Sequence, residues 1–212
     1  MPSRKKSKKS AKTGNSCKSP NRGPLAGYEV LLCVTGGIAC YKVADLASKL
    51  VQTDAGVTAA MTEAAEKFVA PLTFAALTNR QVFTDMWLPQ VDYDLRHISL
   101  TDRADLIIIA PATANILGKM AAGIADDLIS TMALSAAGSC DILAAPAMNS
   151  RMWNAAAVRA NVETLKTRGV HFVGPDEGRL ASGATGPGRM AETDNILKAA
   201  QRLLLRRPPK NR

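Results

Sequence analysis

The chain has 212 residues, enough for one domain of ordinary size with a sizeable core and no need of staples. Hydrophobic residues make up 47% of it, within the soluble globular range, and no apolar run reaches the roughly 18 residues needed to cross a bilayer. The formal net charge of +9 sits at the ends: residues 1–24 hold eight Lys or Arg and residues 198–212 six more, with no acid in either, leaving 13 basic against 18 acidic residues between them. Tails of this kind are ordinarily solvated arms, so nucleic-acid binding is not the expected role of the globular part. The basic N-terminus lacks an apolar core segment and does not read as a secretory signal. Cys17, Cys33, Cys40 and Cys140 show no CxxC or Cys/His spacing, so no metal site is expected. Cys33 and Cys140 sit in apolar runs that read as buried strands, and reduced, structural cysteines fit a cytoplasmic protein.

Residues 1–26 read as a basic tail, 27–205 as the globular domain and 206–212 as a second tail. Val30 to Val34 is a short apolar run closed by Thr35-Gly36-Gly37, a strand-to-loop signature. Tyr41 to Val51 has helical spacing, and Val57 to Met61 is a second strand. Ala64 to Leu77 reads as a helix open to a break at Pro71, and residues 79–96 as a long irregular excursion. Ala104 to Ala110 is the clearest strand, apolar without alternation, as when both faces are covered. Helices follow at Ala112 to Ala122 and Asp126 to Ala137, then a buried strand from Asp141 to Ala145 ending at Pro146. Asn154 to Arg168 reads as a helix stopped by Gly169, Val170 to Val173 as the last strand, Asp176 to Arg189 as a glycine-rich loop, and Asp194 to Leu205 as a terminal helix. Strands alternating with helices predict an α/β fold: a Rossmann-like or flavodoxin-like doubly wound parallel sheet with helices on both faces. Ligands of such sheets bind at the carboxyl ends of the strands.

Several segments at those ends can carry chemistry. Thr35-Gly36-Gly37-Ile38-Ala39 opens the first helix, where glycines and a helix start suit a phosphate; a plain tight turn fits as well. It is neither GxGxxG nor a P-loop. Ala110-Pro111-Ala112-Thr113-Ala114-Asn115 combines small residues with hydrogen-bonding Thr113 and Asn115, and an ordinary helix start capped by Thr113 also fits. His97 is one of two histidines and a candidate general base, although a lone histidine is more often structural; His171, in a strand, reads as structural. In Pro146-Ala147-Met148-Asn149-Ser150-Arg151-Met152-Trp153, Asn149 can donate to a carboxylate without adding charge, and Met152 and Trp153 can form an apolar wall or belong to the core. The segment Ala181 to Met190 can be a lid over a ligand or a plain loop.

Taken together, in this order, the motifs resemble the flavin-containing cysteine decarboxylases, most closely the branch serving coenzyme A biosynthesis. The resemblance spans roughly residues 29–197 and rests on Thr-Gly-Gly-Ile-Ala, His-Ile-x-Leu before Ala-Asp, Ala-Pro-Ala-Thr-Ala-Asn, Pro-Ala-Met-Asn-x-x-Met-Trp and Gly-x-Gly-Arg-Met. The Pro-x-Met-Asn-x-x-Met-Trp pattern is the specific one. The resemblance implies FMN, with its phosphate at Gly37, Ile38 and Ala39, a contact from Thr62, and Thr113, Asn115 and Ala147 near the rings. It makes His97 the catalytic histidine, Asn149 the holder of the substrate carboxylate, and residues 182–190 the flap over the substrate. Met152, Ser182, Gly183, Gly186, Gly188, Arg189 and Met190 would then contact substrate. The implied reaction converts 4′-phosphopantothenoylcysteine to 4′-phosphopantetheine by thiol oxidation, loss of CO2 and re-reduction, with flavin as electron sink. A homotrimer with sites between subunits is implied too, and larger assemblies such as a dodecamer occur in the family. Many bacterial relatives continue into a synthetase domain, an activity expected here from a separate protein.

The chain departs from the family at one point. The biosynthetic branch carries Ala-Cys-Gly-Asp, with the cysteine as acid for the final reduction; this chain reads Ala181-Ser182-Gly183-Ala184. An alcohol is a far weaker acid than a thiol of pKa about 8.5. Three outcomes stay open: protonation by another group or water, a reaction that stops at the enethiol as in peptidyl-cysteine decarboxylases, or a non-catalytic FMN-binding homologue. Flavin prenyltransferases share the fold and phosphate loop but lack the Pro-x-Met-Asn pattern.

Overall fold

A computed structural model describes residues 23–87 and 96–210, with only the backbone of Arg96 and His97. The apolar runs do form strands: β1 (Glu29–Val34), β2 (Gly56–Met61), β3 (Leu106–Ala112), β4 (Asp141–Pro146) and β5 (His171–Phe172). They pair in parallel in the order β2-β1-β3-β4-β5, the flavodoxin-like arrangement. The run Leu106 to Ile109 lacks polar alternation because the sheet is covered twice. Leu106 and Ile108 face one core and Ile107 and Ile109 the other, as Val30 and Leu32 part from Leu31 and Cys33 in β1.

One layer holds α1 (Cys40–Gln52), α3 (Pro71–Thr78) and α9 (Thr193–Leu204); α1 touches both of the others. Cys40, Val43, Leu46, Ala47 and Leu50 form the buried stripe of α1, at the three-to-four spacing that keeps one helix face inward. The opposite layer holds α4 (Arg96–Arg103), α5 (Ala114–Ala122), α6 (Leu128–Ser135) and α8 (Ala156–Thr167). Short α2 (Glu63–Glu66) and α7 (Ser150–Trp153) follow β2 and β4.

The differences from the sequence reading are local. The helix expected from Ala64 to Leu77 divides into α2 and α3, with Pro71 opening α3, where a missing N–H costs nothing. α4 was not expected; its polar stretch offers few apolar positions, and only the buried Thr101 and the packed Leu100 reveal its inner face. The helix expected from Asn154 to Arg168 is α8, which starts two residues later because Ala155 is extended (ψ 135°), and the short α7 ahead of it was not expected. Cys140 lies half-buried just ahead of β4 rather than inside a strand. The segment Asp176 to Arg189 is no plain loop: β6 (Asp176–Arg179) and β7 (Thr185–Arg189) form an antiparallel hairpin. Leu25, ahead of the composition break, is fully buried, and Arg207 and Lys210 beyond α9 bond back to Tyr28 and Asp105. Among the described residues no helix is long and apolar enough to cross a membrane.

Candidate active site

A cleft of about 1070 Å³ opens at the carboxyl ends of β1, β2, β3 and β4, large for a single-ligand site and with room for a second molecule. It lies at the β1/β3 switch point, where helices leave the sheet on opposite sides. Two loops meet there. The buried Thr35 hydroxyl donates to the Pro111 carbonyl at 2.5 Å and to Thr113 Oγ1 at 3.3 Å, tying the end of β1 to the end of β3. Gly36 packs so closely that a Cβ would lie 2.4 Å from Ala64 Cβ and 2.8 Å from backbone, so α2 requires a glycine there. Gly37 is different: a Cβ would meet nothing nearer than 3.6 Å. Packing within the chain does not explain that glycine.

The residues expected at a flavin mostly converge. Gly37, Ile38, Ala39, Thr62, Thr113, Asn115 and Ala147 all line the cleft. α1 starts with no side-chain cap and no acid in its first turn, where the N–H groups of Cys40 and Lys42 donate to the Gly37 and Ala39 carbonyls at 2.9 and 3.0 Å. Thr62 and Thr113 spend their hydroxyls capping α2 and α5, accepting from Ala65 N at 3.2 Å and Ile116 N at 3.4 Å. Thr113 thus caps a helix, as one of its two readings had it, and also lines the cleft. Asn115 is exposed to the cleft without a protein partner among the described residues.

The substrate-side residues meet on the other wall. Asn149 caps α7: its Oδ1 accepts from Arg151 N at 2.9 Å, which turns its Nδ2 to the hairpin, where it donates to Ser182 Oγ at 3.3 Å. The cap, worth about 1 kcal/mol, thus also fixes which end of the amide faces outward. Ser182 sits in the hairpin turn that Leu180 N closes on Ala184 O at 2.8 Å. Below the turn, Met148 N donates to Gly188 O at 2.9 Å, and a Cβ on Gly188 (φ +137°) would lie 2.2 Å from the Met148 carbonyl. Met152, Arg189 and Met190 also line the cleft, Met190 while nearly fully buried in the core. Gly183 and Gly186 do not line it; Gly183 (φ +83°) shapes the turn and Gly186 lies against Ser150. His97 falls in α4, and its side chain lies outside the described residues. Trp153 is core, on the side of the sheet covered by α5, α6 and α8, with Arg159 stacked 5.0 Å from its ring centroid.

Sequence reasoning missed Lys42, Lys119, Asp127 and Arg179, which line the same cleft. Lys119 stands one helical turn after Asn115, so the i,i+4 spacing could have found it. Burial works to lower its pKa, but ammonium contacts of 2.6 Å to both Asp126 and Asp127 outweigh that and leave it raised. Among the described residues no cysteine lines the cleft. Burial pushes the Cys33 and Cys40 thiols up, and Cys40 Sγ is engaged with the Thr35 carbonyl at 3.1 Å.

The chain matches the Flavoprotein family over residues 18–205. It is 50% identical over 178 residues to the coenzyme A biosynthesis bifunctional protein CoaBC of Bacillus subtilis (strain 168), an alignment covering 84% of this chain and 43% of that relative. The chain spans less than half the length of such curated relatives. Among solved structures, a PPC decarboxylase cysteine-to-serine mutant complexed with pantothenoylaminoethenethiol superposes with a TM-score of 0.77 at 30% identity, over 85% of this chain and 99% of that one. The FMN-dependent cysteine decarboxylase SpaF gives 0.76 at 31%, over 86% and 98%. With the family match running from before β1 to the end of α9, the chain belongs to the Flavoprotein family.

Proposed function

We propose that the protein binds FMN and decarboxylates 4′-phosphopantothenoylcysteine to 4′-phosphopantetheine, a carboxy-lyase step of coenzyme A biosynthesis. The observation that carries this reading is the Asn149 amide, oriented by its own helix cap with its NH2 group toward the hairpin, on the rim of a cofactor-sized cleft. The open side of Gly37 and the uncapped start of α1 fit the FMN phosphate. Ala147, Thr113 and Asn115 would hold the ring system. Bound FMN supplies a two-electron acceptor that a cysteine carboxylate otherwise lacks. Asn149 Nδ2 holds the substrate carboxylate by exchanging its Ser182 partner for it, adding no charge that would stabilise the carboxylate against loss of CO2. Met152 gives that pocket an apolar wall, and the hairpin shuts out water. His97 acts as the base.

The sequence relatives named for coenzyme A biosynthesis support this branch, and the solved relatives support the cysteine-decarboxylase chemistry. A homotrimer, or a dodecamer of such trimers, completes the reading, consistent with Ile38, Tyr41 and Met152 standing exposed around the cleft. A cytoplasmic location belongs to the same proposal. Product mass analysis with purified yellow protein is the test: 4′-phosphopantetheine is expected, and no CO2 release with FMN bound would leave a non-catalytic binding homologue. His97→Asn is expected to stop decarboxylation with FMN retained.

One observation favours a second reading, in which the reaction stops at the enethiol. Ser182 stands where the biosynthetic branch has its acid, and among the described residues no cleft cysteine replaces it. A solved relative with serine in place of a cysteine holds an enethiol compound. A sole product two mass units lighter than 4′-phosphopantetheine would select this reading.

A further inference from the structure

The hairpin end of the cleft carries more positive charge than its own acids balance. Arg179 leaves β6 exposed into the cleft with no acid partner among the described residues. One residue earlier, Gly178 lies under Arg189: a Cβ there would be 3.2 Å from Arg189 Nε. That Nε is buried without a hydrogen-bond partner, while Nη2 reaches Glu192 at 3.0 Å. The same Glu192 oxygen is 3.7 Å from Lys42, so one carboxylate serves two cleft cations. Asp176 and Glu177, on the same strand as Arg179, do not line the cleft. The remaining cleft cation, Lys119, is already saturated by two carboxylates.

We propose that Arg179, backed by Arg189, is the recognition point for a phosphate monoester on the substrate. This rests on the decarboxylase reading for the identity of the molecule that bears the phosphate. A guanidinium fork matches phosphate oxygens in pairs, and a buried Nε–H without an acceptor gains one. The substrate carboxylate is met instead by the uncharged Asn149, so the two anionic ends are sorted by chemistry: a neutral donor where charge must leave, a cation where it stays. The Arg179 side chain makes no hydrogen bond or ion pair among the described residues, so its replacement is expected to leave the hairpin intact.

The test uses the full-length FMN-loaded protein and calorimetric titration with 4′-phosphopantetheine and with pantetheine. The wild type is expected to prefer the phosphorylated ligand by at least about tenfold, the usual worth of a charge-assisted hydrogen bond. Arg179→Gln reduces that ratio roughly tenfold, and Arg179→Lys, a point charge without the fork, falls between. The same preference appears in KM for 4′-phosphopantothenoylcysteine over its dephosphorylated form. An unchanged ratio in Arg179→Gln, no preference in the wild type, or a matching loss of FMN would each overturn the proposal. So would inorganic phosphate binding that depends on Arg179 while the two pantetheines bind alike. Absence of turnover by the wild type would defeat the decarboxylase reading alone, because the binding ratio still decides the role of Arg179.

Discussion

Gly36 and Gly188 are glycines for the same reason, since a Cβ on either would strike neighbouring atoms at 2.4 Å and 2.2 Å. The contacts they protect differ. Gly36 lets the loop after β1 pack on α2, beside a Thr35 hydroxyl buried between two strand ends. Gly188 lets a two-stranded hairpin touch the turn after β4, to which the Met148–Gly188 and Asn149–Ser182 bonds tie it. The first wall is part of the sheet. The second is a separate small sheet resting on one turn, and so it can yield to a substrate while the cofactor wall stays in place.

The sharpest way to break this contrast is to add one methyl group to each wall. Gly188→Ala is expected to displace the hairpin, lowering decarboxylation by about tenfold for each 1.4 kcal/mol of lost transition-state contact, with FMN retained. Gly36→Ala should instead release FMN and cost about 1–3 kcal/mol of stability by overpacking. Calorimetry and flavin absorbance on both variants check this; loss of FMN from Gly188→Ala alone would reverse the assignment of the walls. Asn149→Asp comes next. The α7 cap survives, since aspartate caps equally well, but the outward donor becomes an acceptor that repels a carboxylate. Turnover should fall roughly tenfold or more with melting unchanged; unimpaired turnover would remove Asn149 from carboxylate binding.

Ser182→Ala should act more gently. It removes a 3.3 Å bond in an exposed turn, so stability should move by less than about 0.5 kcal/mol. Limited proteolysis within residues 180–184 should quicken, and unchanged cleavage would show that the bond does not restrain the hairpin. The smallest effect lies away from the cleft, where α1 meets α9. The Thr193 hydroxyl, and after it the Lys49 ammonium, hold the Asp45 carboxyl below its ordinary value. Folding therefore favours the charged form; its contribution is present above the ordinary carboxylate value and is lost as pH falls through the depressed one. Asp45→Asn should lower the melting temperature slightly at pH 7, with the difference vanishing well below about pH 4. A difference that persisted in acid would assign the loss to packing instead.

Much of this was legible in the chain itself. Five apolar runs punctuated by Gly and Pro foretold the parallel sheet, and the motifs at their ends foretold most of one cleft. α4 was hidden because a helix held by Leu100 and Thr101 shows too few apolar positions for a period to register. The hairpin was hidden because Gly and Pro, which mark loops elsewhere, here permit close docking on Met148. Asp127 was hidden because nothing local says that its element faces the cleft.

By itself, then, the sequence determined the strand and helix order and the residue types at the strand ends, because periodicity and glycine placement are local properties. Only the tertiary structure decided which way Asn149 presents its amide, which of two adjacent glycines is required by packing, and that Arg179 shares a cleft with Gly37. Those depend on where distant segments meet, and hydrogen-bond partners and excluded volume are settled only when the chain has closed around them.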